Sequence, residues 1–129
     1  MSPYKILFHV NELERWPVAL LNLVNLIKDI GKENLQAEVV ANGPAVLFYA
    51  ASPEFRGKLP ATWSDEFLQK LLHDMREIQQ IGVPFLACAN ALKMNALEVQ
   101  SLHRFVSVVP AGITEIVKKQ SEGYGYVKP

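Results

Sequence analysis

Short, almost wholly apolar runs alternate along this chain with longer segments whose apolar residues recur every three or four positions. The runs are "YKILFHV" from Tyr4, "LQAEVVA" from Leu35, "VPFLAC" from Val83, "RFVSVV" from Arg104 and "YGYVK" from Tyr124. The first is too continuously apolar for a sheet wet on one side and suits a strand covered on both faces. Between the first two runs, Trp16, Leu20, Leu23, Ile27 and Ile30 form one helical stripe. Pro17 fits that helix's first turn and Gly31 its end. Phe67, Leu71, Met75 and Ile78 form a second stripe, capped by Ser64 or Thr62 and closed by Gly82. "ITEIVKKQSE" is a further helix, with its two lysines in the half where the helix dipole favours cations.

With a short helix over "AVLFYAA" and another after Cys88, the order is β-α-β-α-α-β-α-β-α-β. Such alternation specifies a largely parallel sheet with helices on both faces, while leaving the strand order open. Strands are expected near 4–10, 35–41, 83–88, 105–109 and 124–128, at least the first four parallel. Asn95 with Glu98 offers a further capping pair. "SPEFRGKLPATW", with two prolines and a glycine, reads as a long loop of functional or interfacial use.

Composition narrows the class. A chain of 129 residues, half of them apolar, fits a single domain over 1–129 with a sizeable core. Thirteen basic residues balance thirteen acidic ones, so the basic excess of a nucleic-acid binder is missing. Zero net charge leaves little repulsion between copies, and a homo-oligomer is expected, with Trp63 and Phe55 as candidate interface anchors. A lone cysteine makes no intrachain disulfide, which points to a reducing, cytoplasmic setting. The N-terminus lacks a leader pattern, and no apolar run approaches the ~18 residues of a membrane span.

Open parallel sheets bind ligands outside the carboxyl ends of their strands. The residues that follow the runs are therefore the candidates: His9, Asn11 and Glu12; Asn42 and Gly43; Cys88 and Asn90; Pro110 and Gly112. Polar loops occur in any fold of this type, so these residues could equally be structural. Cys88 ends an apolar flank, "PFLA", and opens a helical segment, "CANALK". The flank suits a buried small hydrophobe. The helix start suits a reactive thiol, because free N–H groups there favour the thiolate. Lys93, about one and a half turns on, is a possible second cationic influence. No histidine or cysteine has metal spacing, "NGPA" is too short for a phosphate loop, and "EGYGY" precedes no helix. No cofactor or metal is called for.

At "ACANALK" and "VVPAGITEIVKKQSEGYGYVKP" the chain resembles the DsrE/DsrF-like family of sulfur-metabolism proteins, with "ILFHVNE" opening the match. The resemblance implies a three-layer α/β/α sandwich with a mainly parallel five-stranded sheet, and homo-oligomers, often trimers or hexamers. It also implies that Cys88 accepts a sulfane sulfur as a persulfide, exchanged with a donor and an acceptor protein. The relay members carry two arginines and a glycine after this segment, where this chain reads "KMNAL". Two functions follow: a cytoplasmic sulfur carrier or sulfurtransferase acting through Cys88, or a non-catalytic oligomeric module that holds a small ligand on the rim.

Overall fold

The computed structural model describes residues 3–129. Five strands form one sheet: β1 (Tyr4–Val10), β2 (Leu35–Ala41), β3 (Phe85–Cys88), β4 (Ser107–Val109) and β5 (Gly125–Val127). Their order is β4-β3-β2-β1-β5, and every neighbouring pair is parallel. The α-helices are α1 (Trp16–Ile30), α2 (Asp65–Gln80), α3 (Ala89–Met94) and α4 (Gly112–Ser121). The expected fold class is thus the observed one. Among the described residues no helix is long and apolar enough to cross a membrane.

Handedness explains the layers. The chain steps outward from β1 through β2 and β3 to β4, and right-handed crossovers put the intervening helices on one face. It then returns past β3, β2 and β1 to β5, so a crossover of the same hand puts α4 on the opposite face.

The larger core lies on the first face. Phe8, Val10, Val39, Ala41, Phe85 and Ala87 point into it from the strands. Trp16 is fully buried there, its ring 4.8 Å from Phe48 and 5.3 Å from Tyr49. Its indole N–H donates to the Ala45 carbonyl at 2.9 Å, so the ring's one polar group is satisfied. Truncating an aromatic at such a position costs about 3–5 kcal/mol. The second face is thinner, with Leu7, Val40 and Leu86 meeting Ile116 of α4.

Several expectations shift. Helix α2 buries Leu68, Leu71, Met75 and Ile78, leaving Phe67 exposed against the edge of Trp63. Ser64 caps α2 by accepting from the Phe67 N–H, as the pattern indicated. Trp63 itself is buried against Phe48, which removes it as an interface anchor. "AVLFYAA" lies in a 3-10 segment, Gly43–Tyr49, not an α-helix, and the long loop folds into another, Pro53–Lys58. The third and fourth strands each begin two residues later than expected. Asn95 ends α3, where its amide donates to the Ala91 carbonyl, and caps no following helix.

One strand residue contradicts its surroundings. Glu38 of β2 is buried beneath α4, and its Oε1 has no hydrogen-bond partner. Burial, then a shared hydrogen bond with Glu115 and that residue's charge, pushes the Glu38 carboxyl up to about 8, against the opposing pull of Lys119. Lys119 reaches Glu115 at 3.8 Å and Glu122 at 3.9 Å. The folded chain therefore keeps a proton on Glu38 that the unfolded chain releases above its ordinary range. Stability from this group is complete below about pH 4.5 and is lost as pH rises through about 8. Glu38→Gln should flatten that decline in urea unfolding. It should make the protein more stable than the parent at pH 8.5 by roughly 1–3 kcal/mol, since a tenfold change in proton affinity is worth about 1.4 kcal/mol. An unchanged pH slope would show that Glu38 is ionised in the folded state.

Candidate functional site

The parallel sheet gathers the carboxyl ends of β3, β2, β1 and β5 along one rim. Alternation sets which side chains share a face. Leu86 of β3, Val40 and Asn42 at the end of β2, Leu7 and His9 of β1, and Tyr126 of β5 stand on the α4 side, and Cys88 at the end of β3 meets Gly112 there while also packing against the larger core. Ala41 pairs with Ala87 in the register, so Asn42 and Cys88 follow as neighbours across the two strands.

Gly112, the first residue of α4, closes over this pair. A Cβ placed on it would lie 3.4 Å from the Cβ of Asn42, 3.4 Å from that of Cys88 and 3.4 Å from a Val40 methyl. The close approach of helix to strand is the reason for glycine here. Cys88 is also the residue before α3 and keeps 7 % of its surface exposed. The thiol thus sits between the starts of two helices. Helix α3 is a short six residues, and the ten-residue α4 presents the fuller dipole.

A hydrogen-bonded row leads away from the thiol. The buried His9 ring is 2.9 Å through Nε2 from Asn42 Oδ1, and 2.5 Å through Nδ1 from the Tyr126 hydroxyl. An amide oxygen only accepts, so Nε2–H donates to Asn42, while the Tyr126 hydroxyl, which can donate or accept, pairs with Nδ1. Partial burial raises the Tyr126 hydroxyl above its ordinary range.

Gly43 holds the next turn. Its φ is +55°, and a Cβ there would lie 3.0 Å from the Asn11 carbonyl oxygen. The Gly43 carbonyl accepts from Asn95, so the turn after β2 is tied to the end of α3. Of the residues singled out in the sequence, Cys88, Asn42, His9 and Gly112 form one continuous group. Asn11 and Gly43 shape its edge. Glu12, Asn90, Lys93 and Pro110 stand exposed around it. Tyr126 and Asn95 were not foreseen. The signal for Tyr126 was the alternation in "YGYVK", but only the register with β1 shows which face it takes.

A cavity of about 270 Å³ lies elsewhere, between the Pro53–Lys58 turn and α2, lined by Leu47, Phe55, Leu59 and Leu68 with Arg56 and His103.

These features define a parallel α/β/α protein with a sheltered thiol at the carboxyl rim of its sheet. The family model of the DsrE/DsrF-like family matches residues 18–129, and the chain belongs to that family. Among solved structures it is similar to MTH1491 of Methanobacterium thermoautotrophicum, described as a protein of unknown function. That likeness is 29 % identity with a TM-score of 0.75, over 98 % of this chain and 99 % of the other. The YchN protein of E. coli shares the fold at 16 % identity and a TM-score of 0.70, over 98 % and 99 % of the two chains. Comparison with curated proteins returns no match.

Proposed function

We propose that the protein is a sulfur carrier of the sulfur-relay kind, with Cys88 as the acceptor. The observation that carries this reading is the place of the only cysteine: at the end of β3, between the starts of α3 and α4, beside Asn42, in a chain of the DsrE/DsrF-like family. The Cys88 thiolate attacks the outer sulfur of a donor persulfide. A new S–S bond forms to Cys88, the donor's S–S bond breaks, and the donor cysteine leaves as its thiolate. The exchange is redox-neutral and needs no cofactor. An acceptor thiolate then takes the outer sulfur in the same way and frees the Cys88 thiolate. Positive helix ends favour both anionic sulfur species. The small exposure of Cys88 supports a carrier, since a sheltered persulfide is shielded from adventitious thiols. A reducing cytoplasm is the setting a lone thiol supports.

Self-association belongs to the same proposal. With Trp63 buried, the support moves to α4, whose outer face exposes Ile113 (63 %) and Val117 (60 %), one turn apart. A trimer or hexamer is the expected form. Light scattering at micromolar concentration should return a multiple of 14.5 kDa, and Val117→Asp should lower it. A monomeric parent chain would remove the oligomer from the account.

The function is tested by intact mass spectrometry after incubation with a persulfide donor. The parent chain should gain the mass of one sulfur, lost again on reduction, and Cys88→Ser should gain none. No added sulfur on the parent while the donor is consumed would favour the non-catalytic ligand-holding module instead.

A further inference from the structure

We infer that α4 is a gate over Cys88, held shut by the neutral carboxyl group of Glu38 and released when that carboxyl ionises. The gate deepens the sulfur-carrier reading and rests on it for its use, but it is built from residues away from the thiol.

Helix and strand face each other along their lengths. Gly112, Glu115, Ile116 and Lys119 recur at spacings of three and four, so they form one stripe of α4. Glu38, Val40 and Asn42 alternate along β2 and past its end, so they share the face beneath that stripe. Gly112 closes on Asn42, Val40 and Cys88, and Ile116 packs with Leu7, Val40 and Leu86. Glu38, two residues before Val40, meets Glu115 and Lys119, which are largely covered despite their charge. In α4 only Gly112 and Ile116 are buried. An element with so few buried contacts opens more readily than the central strands, and its hold depends on the Glu38 end.

That end is short of positive charge. Glu38, Glu115 and Glu122 surround one ammonium, Lys119, which reaches Glu115 at 3.8 Å and Glu122 at 3.9 Å. From β1, Lys5 is turned to the Glu122 carbonyl at 3.3 Å and to the Tyr124 ring, over which Lys119 also lies. β3 presents Leu86 on this face and adds no charge there. Glu38 is 6 % exposed, and among the described residues its Oε1 has no hydrogen-bond partner. A buried carboxylate beside a second carboxylate is unfavourable, so Glu38 keeps its proton while α4 is down. Its carboxyl is pushed up to about 8, by burial first and then by Glu115. With α4 lifted, water reaches the group and it returns to its ordinary value of 4.5. Opening therefore grows as pH rises from about 4.5 to about 8 and is level above. Lifting α4 also takes Gly112 off Cys88, so the same event uncovers the thiol.

The test is hydrogen–deuterium exchange of the full chain from pH 6 to pH 8.5, each rate divided by the intrinsic rate at that pH. Opening of α4 should rise by about tenfold per pH unit up to about pH 8, with β1 and β2 remaining better protected throughout. Glu38→Gln should make it independent of pH, and Glu115→Gln, which removes the repulsion, should flatten it in part. The second readout is iodoacetamide alkylation of Cys88 without sulfur donor, taken as the ratio of parent to Glu38→Gln. That ratio should grow about tenfold or more from pH 6 to pH 8.5. The titration of the thiol cancels in it, and the Glu38 charge, roughly 13 Å away along the strand, acts on the thiolate in the opposite direction. Neither readout requires sulfur transfer, so the gate and the carrier reading fail separately. Opening of α4 that ignores pH in the parent, or follows it as steeply in Glu38→Gln, would overturn the role of Glu38. Opening that leaves the alkylation ratio constant would overturn the gate. Exchange of α4, β1 and β2 at one common rate would mean global unfolding, and would overturn both.

Discussion

The crossover from β4 to β5 is the constraint on which the site depends. It must return across the whole sheet, and its hand sends α4 to the face opposite α1 and α2. That passage sets Gly112 on Asn42 and Cys88. It also delivers β5 to the side of β1, so that Tyr126 reaches His9. Placing β5 beyond β4 would leave the thiol without its cover and the histidine without its tyrosine. The same passage lays α4 over Glu38, whose burial beside Glu115 makes the helix contact dependent on pH.

Two kinds of interaction hold this arrangement. The aromatic core around Trp16 fixes the first face and needs no help from charge. The second face has one helix, a small apolar cluster and the hydrogen-bonded row of Asn42, His9 and Tyr126. The candidate site falls on the thinner face, where polar side chains can be carried without disturbing the larger core. The carrier reading draws on this division: a rigid sheet supplies position, and the lightly covered rim supplies a sulfur that a partner can reach.

The sequence carried most of the fold. Continuous apolar runs, helical stripes and glycine stops are local signals, and β1, β2 and α1 follow them residue by residue. Departures arise where distant packing decides. Phe67 and Leu68 are adjacent, and only the lie of α2 selects Leu68 for the core. Trp63 looked like an exposed aromatic in a loop, but the 3-10 segment that ends at Tyr49 offers it Phe48. The site was partly legible. Residues after each strand could be named, since parallel strands share one rim. Which of them meet depends on strand order, which alternation leaves open. Cys88, Asn42, His9 and Gly112 meet, whereas Glu12, Asn90 and Lys93 remain exposed. Glu38 was visible as the one acid in "LQAEVVA", but its partner Glu115 lies on a helix far along the chain.

The carrier reading requires Cys88 to act as a nucleophile in the folded chain although the fold covers it. The direct measurement compares the rate of alkylation of Cys88 at pH 7 in the folded chain and in the same chain unfolded in urea. The unfolded chain exposes the thiol fully but removes the helix starts. Faster reaction in the folded chain is the predicted result of the carrier reading, because the helix starts that favour an anionic sulfur are in place only there. A folded chain that reacts more slowly than the unfolded one would make Cys88 a packing residue and contradict the account.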